Sequence, residues 1–264
     1  MQLNTTKMLA EVSDGVGWIT FNNPQRRNAI SLEMWEGLGT ILEAFQHDDS
    51  VRVVVMKGAG DRAFVSGADI SEFDTKRGNA EQKKLYGKVS ANATRWLAGI
   101  DKPLIAMIRG FCIGGGLATA LSADVRFATP SSTFGIPAAR LGLGYEFSGL
   151  QALCGLVGPA RAKDIMFTAR YMDAEEAQSM GLINFLVDED ELEARVRDYA
   201  TLVASNAPLT VKAAKVAINE AMKDPDRRDP KQVSSLINDC FDSLDYKEGR
   251  RAFMAKRKPN FRGV

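Results

Sequence analysis

The chain has 264 residues, long for one domain and short for two. It is 45% apolar and 25% charged, the balance of a folded globular protein rather than a disordered or fibrous one. Lysine and arginine number 34 against 33 aspartates and glutamates, a formal net charge of +1. No global field therefore draws the protein to nucleic acid or to a membrane, although the C-terminal KRKPNFR is a local basic cluster.

The N-terminal MQLNTTKMLAEVSDG lacks the apolar core of a signal peptide, and no apolar run reaches the roughly 20 residues of a membrane span. A cytoplasmic protein is expected. GVGWITFN predicts a strand. In SLEMWEGLGTILEAFQHD, Leu32, Trp35, Leu38, Ile41, Leu42 and Phe45 recur at helical spacing. SVRVVVMKG is a β-branched strand that stops at Gly58. AEQKKLYGKVSANATRWLAGI predicts a helix closed by Gly99, KPLIAMIRG a buried strand, and ADVRFATPSSTFGI two short strands around Pro130. This alternation is an α/β pattern.

The remainder reads as mainly helical. Asp173 with Glu176 three residues on marks a helix start in DAEEAQSMG. LINFLVD is a last short strand. EDELEARVRDYATLVASNA, PLTVKAAKVAINEAM and PKQVSSLINDCFDSL are helices separated by Pro208 and the polar KDPDRRDP. No internal repeat or low-complexity linker divides the chain.

Three widely spaced cysteines, Cys112, Cys154 and Cys240, form no metal-ligand pattern and read as free thiols. His47, in AFQHDDS, is the only histidine and reads as a solvated helix-end residue. Triads of the Ser-His-Asp kind and histidine-based zinc sites have almost no material here, and no metal is expected.

The stretch GFCIGGGLATALSADV, residues 110–125, places three consecutive glycines between a strand and a helix. Glycine costs chain entropy, so this position needs bare backbone. Gly110, Gly114, Gly115 and Gly116 do not match the dinucleotide-binding spacing, and no P-loop lysine comes after them. A tight structural junction is one reading. The other is an oxyanion site, because the free N–H groups of a helix start can hold a developing negative oxygen. DRAFVSGADISEF, residues 61–73, offers a second donor at Ser66, Gly67 and Ala68, with Asp69 as the cap of the next helix.

Together these stretches resemble the crotonase superfamily, the enoyl-CoA hydratase/isomerase family. AFVSGADI is similar to its first oxyanion motif and AMIRGFCIGGGLATALSADVRFAT to its second. FGIPAARLGLG, KDIMFTARYMDAEEAQSMGLIN and DYKEGRRAFMAKRKPNF also match, so the likeness runs from ITFNNPQRRNAI to Phe261. The resemblance implies an α/β protein with a β-β-α spiral core over residues 1–200 and a C-terminal helical trimerisation region over 201–264, assembled as a homotrimer or a hexamer. It implies an acyl-CoA substrate, with coenzyme A as part of the thioester and no separate cofactor. The thioester carbonyl would sit between the Ala68 and Gly115 N–H groups. Arg26, Arg27, Ala29 and the Ser66–Ala68 backbone would border the adenosine, and Lys256 would reach the coenzyme phosphates across a subunit boundary.

The chain departs from the family where proton transfer is performed. Typical hydratases carry a glutamate shortly after the glycines and another after the FG-x-P element. Here those positions are Ala118 and Ala138. Tyr145 and Glu146 stand nearby. Tyr145 falls where the methylmalonyl-CoA decarboxylase branch carries a tyrosine, and Glu146 where the dienoyl-CoA isomerase branch carries an aspartate. Glu146 fits an isomerase or one-carboxylate hydratase, and is preferred because a base is the scarcer requirement. Tyr145 fits protonation after decarboxylation, although that branch has a histidine where this chain has Ala68. A non-catalytic acyl-CoA binder is the remaining reading.

Overall fold

A computed structural model describes residues 1–72 and 80–264. Phe73, the last residue of the first oxyanion-like stretch, lies outside the described residues.

The first strands, β1 (Met8–Ser13) and β2 (Val16–Phe21), form an antiparallel hairpin in which Ser13 pairs with Val16 across the two-residue turn Asp14–Gly15. Both turn residues have positive φ, 53° and 79°, as a tight hairpin matched to strand twist requires. β1 is not expected from the sequence: only Met8 is fully buried along it, so the alternation that announces a strand is weak.

β2 then begins a parallel series with β3 (Val53–Gly58), β5 (Leu104–Ile108), β7 (Val125–Ala128) and the short β9 (Phe185–Leu186). The order is β1-β2-β3-β5-β7-β9. Val53–Met56 and all of Leu104–Ile108 are buried, the continuous apolar run of a parallel sheet covered on both faces. A second, three-stranded parallel sheet pairs β4 (Ala63–Val65), β6 (Phe111–Ile113) and β8 (Thr133–Gly135) in that order.

Each strand of the small sheet comes directly after one of the large sheet: β3 then β4, β5 then β6, β7 then β8. Three turns of one spiral result. The sequence carries no matching repeat, because equivalent positions share only burial and not residue identity.

Helices cover both faces. α1 (Leu32–His47) buries Met34, Leu38, Ile41, Leu42 and Phe45 and packs against α2 (Ala80–Gly99). On the other face, α6 (Leu192–Ala204) lays Leu192, Val196 and Ala200 over Val53, Val55, Ile105 and Phe127. Full burial of side chains this size contributes about 1.5–3 kcal/mol each, which fixes which helix face turns inward. The glycine stretch opens α3 (Gly115–Leu121), and α4 (Phe147–Thr168) breaks at Gly158, next to Pro159. In α5 (Ala174–Ser179) the Asp173 carboxylate accepts from the Glu176 N–H, as the sequence predicts.

α7 (Pro208–Ala221), α8 (Pro230–Asp242) and α9 (Leu244–Met254) complete the chain; the sequence pattern alone does not delimit α9. Beyond α9 the tail folds back: Asp245 accepts from the Arg262 and Gly263 N–H groups, and Arg52 donates to the Phe261 carbonyl at 2.6 Å. Among the described residues no helix is long and apolar enough to cross a membrane, and no group of three histidine, cysteine or acidic side chains is placed to hold a metal. Cys112, Cys154 and Cys240 are free.

Candidate active site

The three glycines have three different causes. Gly114, at φ 55° and ψ −116°, turns the chain out of β6 in a conformation that side-chain-bearing residues rarely adopt. Gly116 lets α3 approach β4: a Cβ there would stand 2.1 Å from the Val65 carbonyl oxygen. Gly115 has neither constraint. A Cβ on it would meet its nearest neighbour, the Ala68 amide nitrogen, at an ordinary 3.8 Å. The fold tolerates a methyl group at 115, so the empty space between Gly115 and Ala68 is not a packing requirement.

Both amides that border this space are aimed by their own peptide units. A trans peptide is planar, so its N–H points opposite to its C=O. The Gly67 carbonyl accepts from the Ile30 N–H at 2.8 Å, which turns the Ala68 N–H the other way. The Gly114 carbonyl accepts from the Ala118 N–H at 3.0 Å within the first turn of α3, which turns the Gly115 N–H outward. Among the described residues neither amide donates to a backbone carbonyl. α3 has only seven residues, so few peptide dipoles add up, and directed N–H groups rather than a macrodipole define the site.

The two amides open on a cavity of about 2070 Å³ whose lining includes Trp35, Ala118, Ala138, Tyr145 and Glu146. The alanines leave the wall near the amides without a carboxylate at either position. Tyr145 packs against the core, and its hydroxyl stands 3.5 Å from the Gly114 carbonyl, the same peptide unit that carries the Gly115 N–H. Burial, helped by the neighbouring Cys112, pushes the Tyr145 phenol up to about 12, so it is a neutral O–H at physiological pH. Glu146 is exposed and stands at the N-terminus of α4, on the rim of the same cavity. Both residues that the sequence singles out thus border one space.

The residues expected around an adenosine form one loop beside Ala68. The Ser66 N–H donates to the Arg27 carbonyl at 3.1 Å and its hydroxyl to the Arg26 carbonyl at 3.3 Å. Ala29 is buried. Arg26 pairs with Asp69 at 3.8 Å, and Arg27 lies over the Phe111 ring at 4.9 Å. Lys256 is exposed just past α9 and does not line the cavity of its own chain. Asp69 accepts from the Ser71 N–H and hydroxyl, a local structural cap. His47 hydrogen-bonds the Glu43 carbonyl through Nδ1 and meets the Trp96 ring edge-on at the end of α1, outside the cavity lining. The sequence reading missed Asn28, fully buried in the loop ahead of Ala68, and the lining role of Tyr86. Helical spacing marks Tyr86 only as an apolar-face residue; for Asn28 the signal is a polar residue placed directly before Ala29 and Ile30.

Residues 11–264 match the sequence model of the enoyl-CoA hydratase/isomerase family. The short-chain-enoyl-CoA hydratase of Clostridium acetobutylicum is 35% identical over 98% of this chain and 97% of its own length. The crotonyl-CoA hydratase of Syntrophomonas wolfei is 33% identical over 96% and 97%. Among solved structures, an enoyl-CoA hydratase/carnithine racemase from Magnetospirillum magneticum superimposes with a TM-score of 0.92 at 36% identity, covering 99% of this chain and 97% of that one. The enoyl-CoA hydratase of Bacillus anthracis gives 0.91 at 30% identity, covering 98% and 100%. The chain belongs to the enoyl-CoA hydratase/isomerase family of the crotonase superfamily, and its α/β architecture with a helical C-terminal region is that fold.

Proposed function

We propose that the protein is a CoA-thioester lyase or isomerase that stabilises a thioester enolate between the Ala68 and Gly115 N–H groups. The observation that carries this reading is the space at Gly115: the fold has room for a methyl group there, and the space lies next to two amides that donate to no backbone carbonyl among the described residues. One such donor is worth roughly 2.7–4 kcal/mol of transition-state stabilisation. Coenzyme A enters with the substrate along the loop of Arg26, Arg27, Ala29 and Ser66, and Lys256 serves a neighbouring copy in a trimer or hexamer.

Alanine at 118 and 138 supports chemistry other than efficient two-carboxylate hydration. Water addition needs a base for the nucleophile and an acid for the α-carbon. Double-bond isomerisation needs a single group that removes a proton and returns it, and Glu146 is a carboxylate on the cavity rim; Asp124, which also lines the cavity, is engaged by the Leu104 N–H and Lys215. A second reading is supported by the Tyr145 hydroxyl beside the Gly114–Gly115 peptide. In decarboxylation the breaking C–C bond supplies the enolate electrons, CO₂ leaves, and a neutral phenol or water then protonates the α-carbon.

Turnover on crotonyl-CoA, a 3-enoyl-CoA, a dienoyl-CoA and methylmalonyl-CoA tests both readings. Isomerisation of an enoyl or dienoyl thioester, with slow hydration of crotonyl-CoA, is the expected result. Carbon dioxide release from methylmalonyl-CoA selects the second reading. Binding of all four with turnover of none makes the chain an acyl-CoA binder and overturns both.

A further inference from the structure

The direction of the Ala68 amide traces back to one side chain that never touches the cavity. Ala68 is held from both sides by Ile30: the Ile30 N–H donates to the Gly67 carbonyl at 2.8 Å, and the Ile30 carbonyl accepts from the Asp69 N–H at 2.9 Å. Two residues before Ala68, the Ser66 N–H donates to the Arg27 carbonyl. The segment around Ala68 therefore takes its position from the loop Asn23–Ile30.

That loop is held in an unfavourable backbone state. Arg27 and Asn28 are consecutive non-glycine residues with φ of 51° and 55°. Asn28 is fully buried, and its carboxamide uses both ends. Its Oδ1 accepts from the Asn23 N–H at 3.0 Å; its Nδ2 donates to the Ala59 carbonyl at 3.0 Å and to the Ala63 carbonyl at 2.7 Å. Ala63 is the first residue of β4, the strand that leads into Ala68. One side chain thus joins the loop carrying Ile30 to the strand that leads into Ala68, and fixes their separation on both sides of the clamp.

We infer that Asn28 is a positioning residue for the reaction: by joining the Ile30 loop to β4, it sets the direction in which the Ala68 N–H meets the thioester oxygen. This rests on the oxyanion reading above. The requirement is specific to a carboxamide, because the site needs one acceptor and two donors in a single plane. Aspartate keeps the shape and the acceptor but turns an oxygen towards two carbonyls.

The test uses butyryl-CoA labelled with ¹³C at the thioester carbonyl, whose stretching frequency falls when N–H groups polarise it. Isotope-edited infrared spectra of the bound thioester are compared for the native protein, Asn28→Asp and Asn28→Gly; glycine takes the left-handed φ without strain and keeps a folded variant available. Asp48→Asn is the control, because it loosens the exposed Asp48–Ser50 turn at the far end of α1 without touching the loop. The native protein and the control are expected to show the full downward shift. Folded Asn28 variants are expected to bind butyryl-CoA within about threefold of native, to lose most of the shift, and to lose at least tenfold in kcat with KM little changed. A folded Asn28 variant with the native shift and kcat overturns the inference while leaving the oxyanion reading intact. A native protein that leaves the carbonyl at its solution frequency overturns the oxyanion reading, and the inference with it.

Discussion

Gly115 and Gly116 are neighbours with opposite mutational consequences. At Gly115 a Cβ has room within the fold but occupies the space between the two amides. Gly115→Ala is expected to keep the native Tm while turnover falls about 10²–10³-fold, the loss typical of one disabled oxyanion donor. At Gly116 the same methyl group collides with the Val65 carbonyl oxygen. Gly116→Ala is expected to lower stability by about 1–3 kcal/mol or more, a drop of several degrees in Tm for a chain of this size. Thermal melts beside steady-state rates separate the two; a Gly115→Ala protein with native turnover removes that amide from the mechanism.

Tyr145 and Glu146 are divided by pH. The phenol is held near 12 by burial, above its ordinary 10.0, so it stays protonated throughout the working range. A rate dependent on Tyr145 as acid is therefore expected to show no basic limb below about pH 10, and Tyr145→Phe to change its magnitude. A rate dependent on Glu146 is expected to collapse in Glu146→Gln with thioester binding retained. The stability linkage has a defined sign: the folded state favours the neutral phenol, so this contribution is complete below pH 10 and is lost as pH rises towards 12.

Among the elements, the returning C-terminal tail is held by an exposed but well-formed pair. Arg257 contacts both oxygens of Glu248, at 2.6 and 2.9 Å, and the Asn260 N–H donates to the same carboxylate. The Arg257 and Asn260 hydrogen bonds hold Glu248 down at about 2, against an ordinary 4.5. A depressed carboxylate stabilises the fold above its unfolded value and loses that contribution as pH falls through its folded one. Glu248→Gln is expected to melt below native at pH 7, with the difference narrowing between pH 4.5 and 2. A difference that stays constant over that window assigns the effect to packing instead of charge. β1 shows the opposite kind of element: its weak alternation leaves it unannounced in the sequence, and the structure holds it through the Asp14–Gly15 turn and its pairing with β2.

Across the whole molecule, large apolar side chains remain exposed along the C-terminal helices: Leu202 at 62%, Ile218 at 64%, Met222 at 69%, Phe253 at 83% and Met254 at 82%. These exposed side chains support the proposed trimer or hexamer, which would cover them; Ile218 and Met222 also line the cavity. Light scattering is expected to give three or six times the 28.8 kDa chain mass, and Phe253→Asp with Met254→Asp to reduce it. A monomer at working concentration overturns the trimer or hexamer, and with it the role given to Lys256.

The α/β alternation, the covered parallel strands and the family are legible in the sequence, because continuous apolar runs, helical spacing and two glycine-rich junctions are local signals. So is the chemistry of Ala118 and Ala138, whose methyl side chains can transfer no proton. Why the glycines differ is a tertiary matter: φ at 114, a carbonyl about 50 residues earlier at 116, and open space at 115 are relations that residue identity does not carry. The spiral repeat and the placing of the Ala68 amide are likewise invisible in one dimension. A donor's direction is set by what its own carbonyl bonds to, and for Ala68 that partner is Ile30, held in turn by a buried asparagine whose three bonds reach residues 23, 59 and 63.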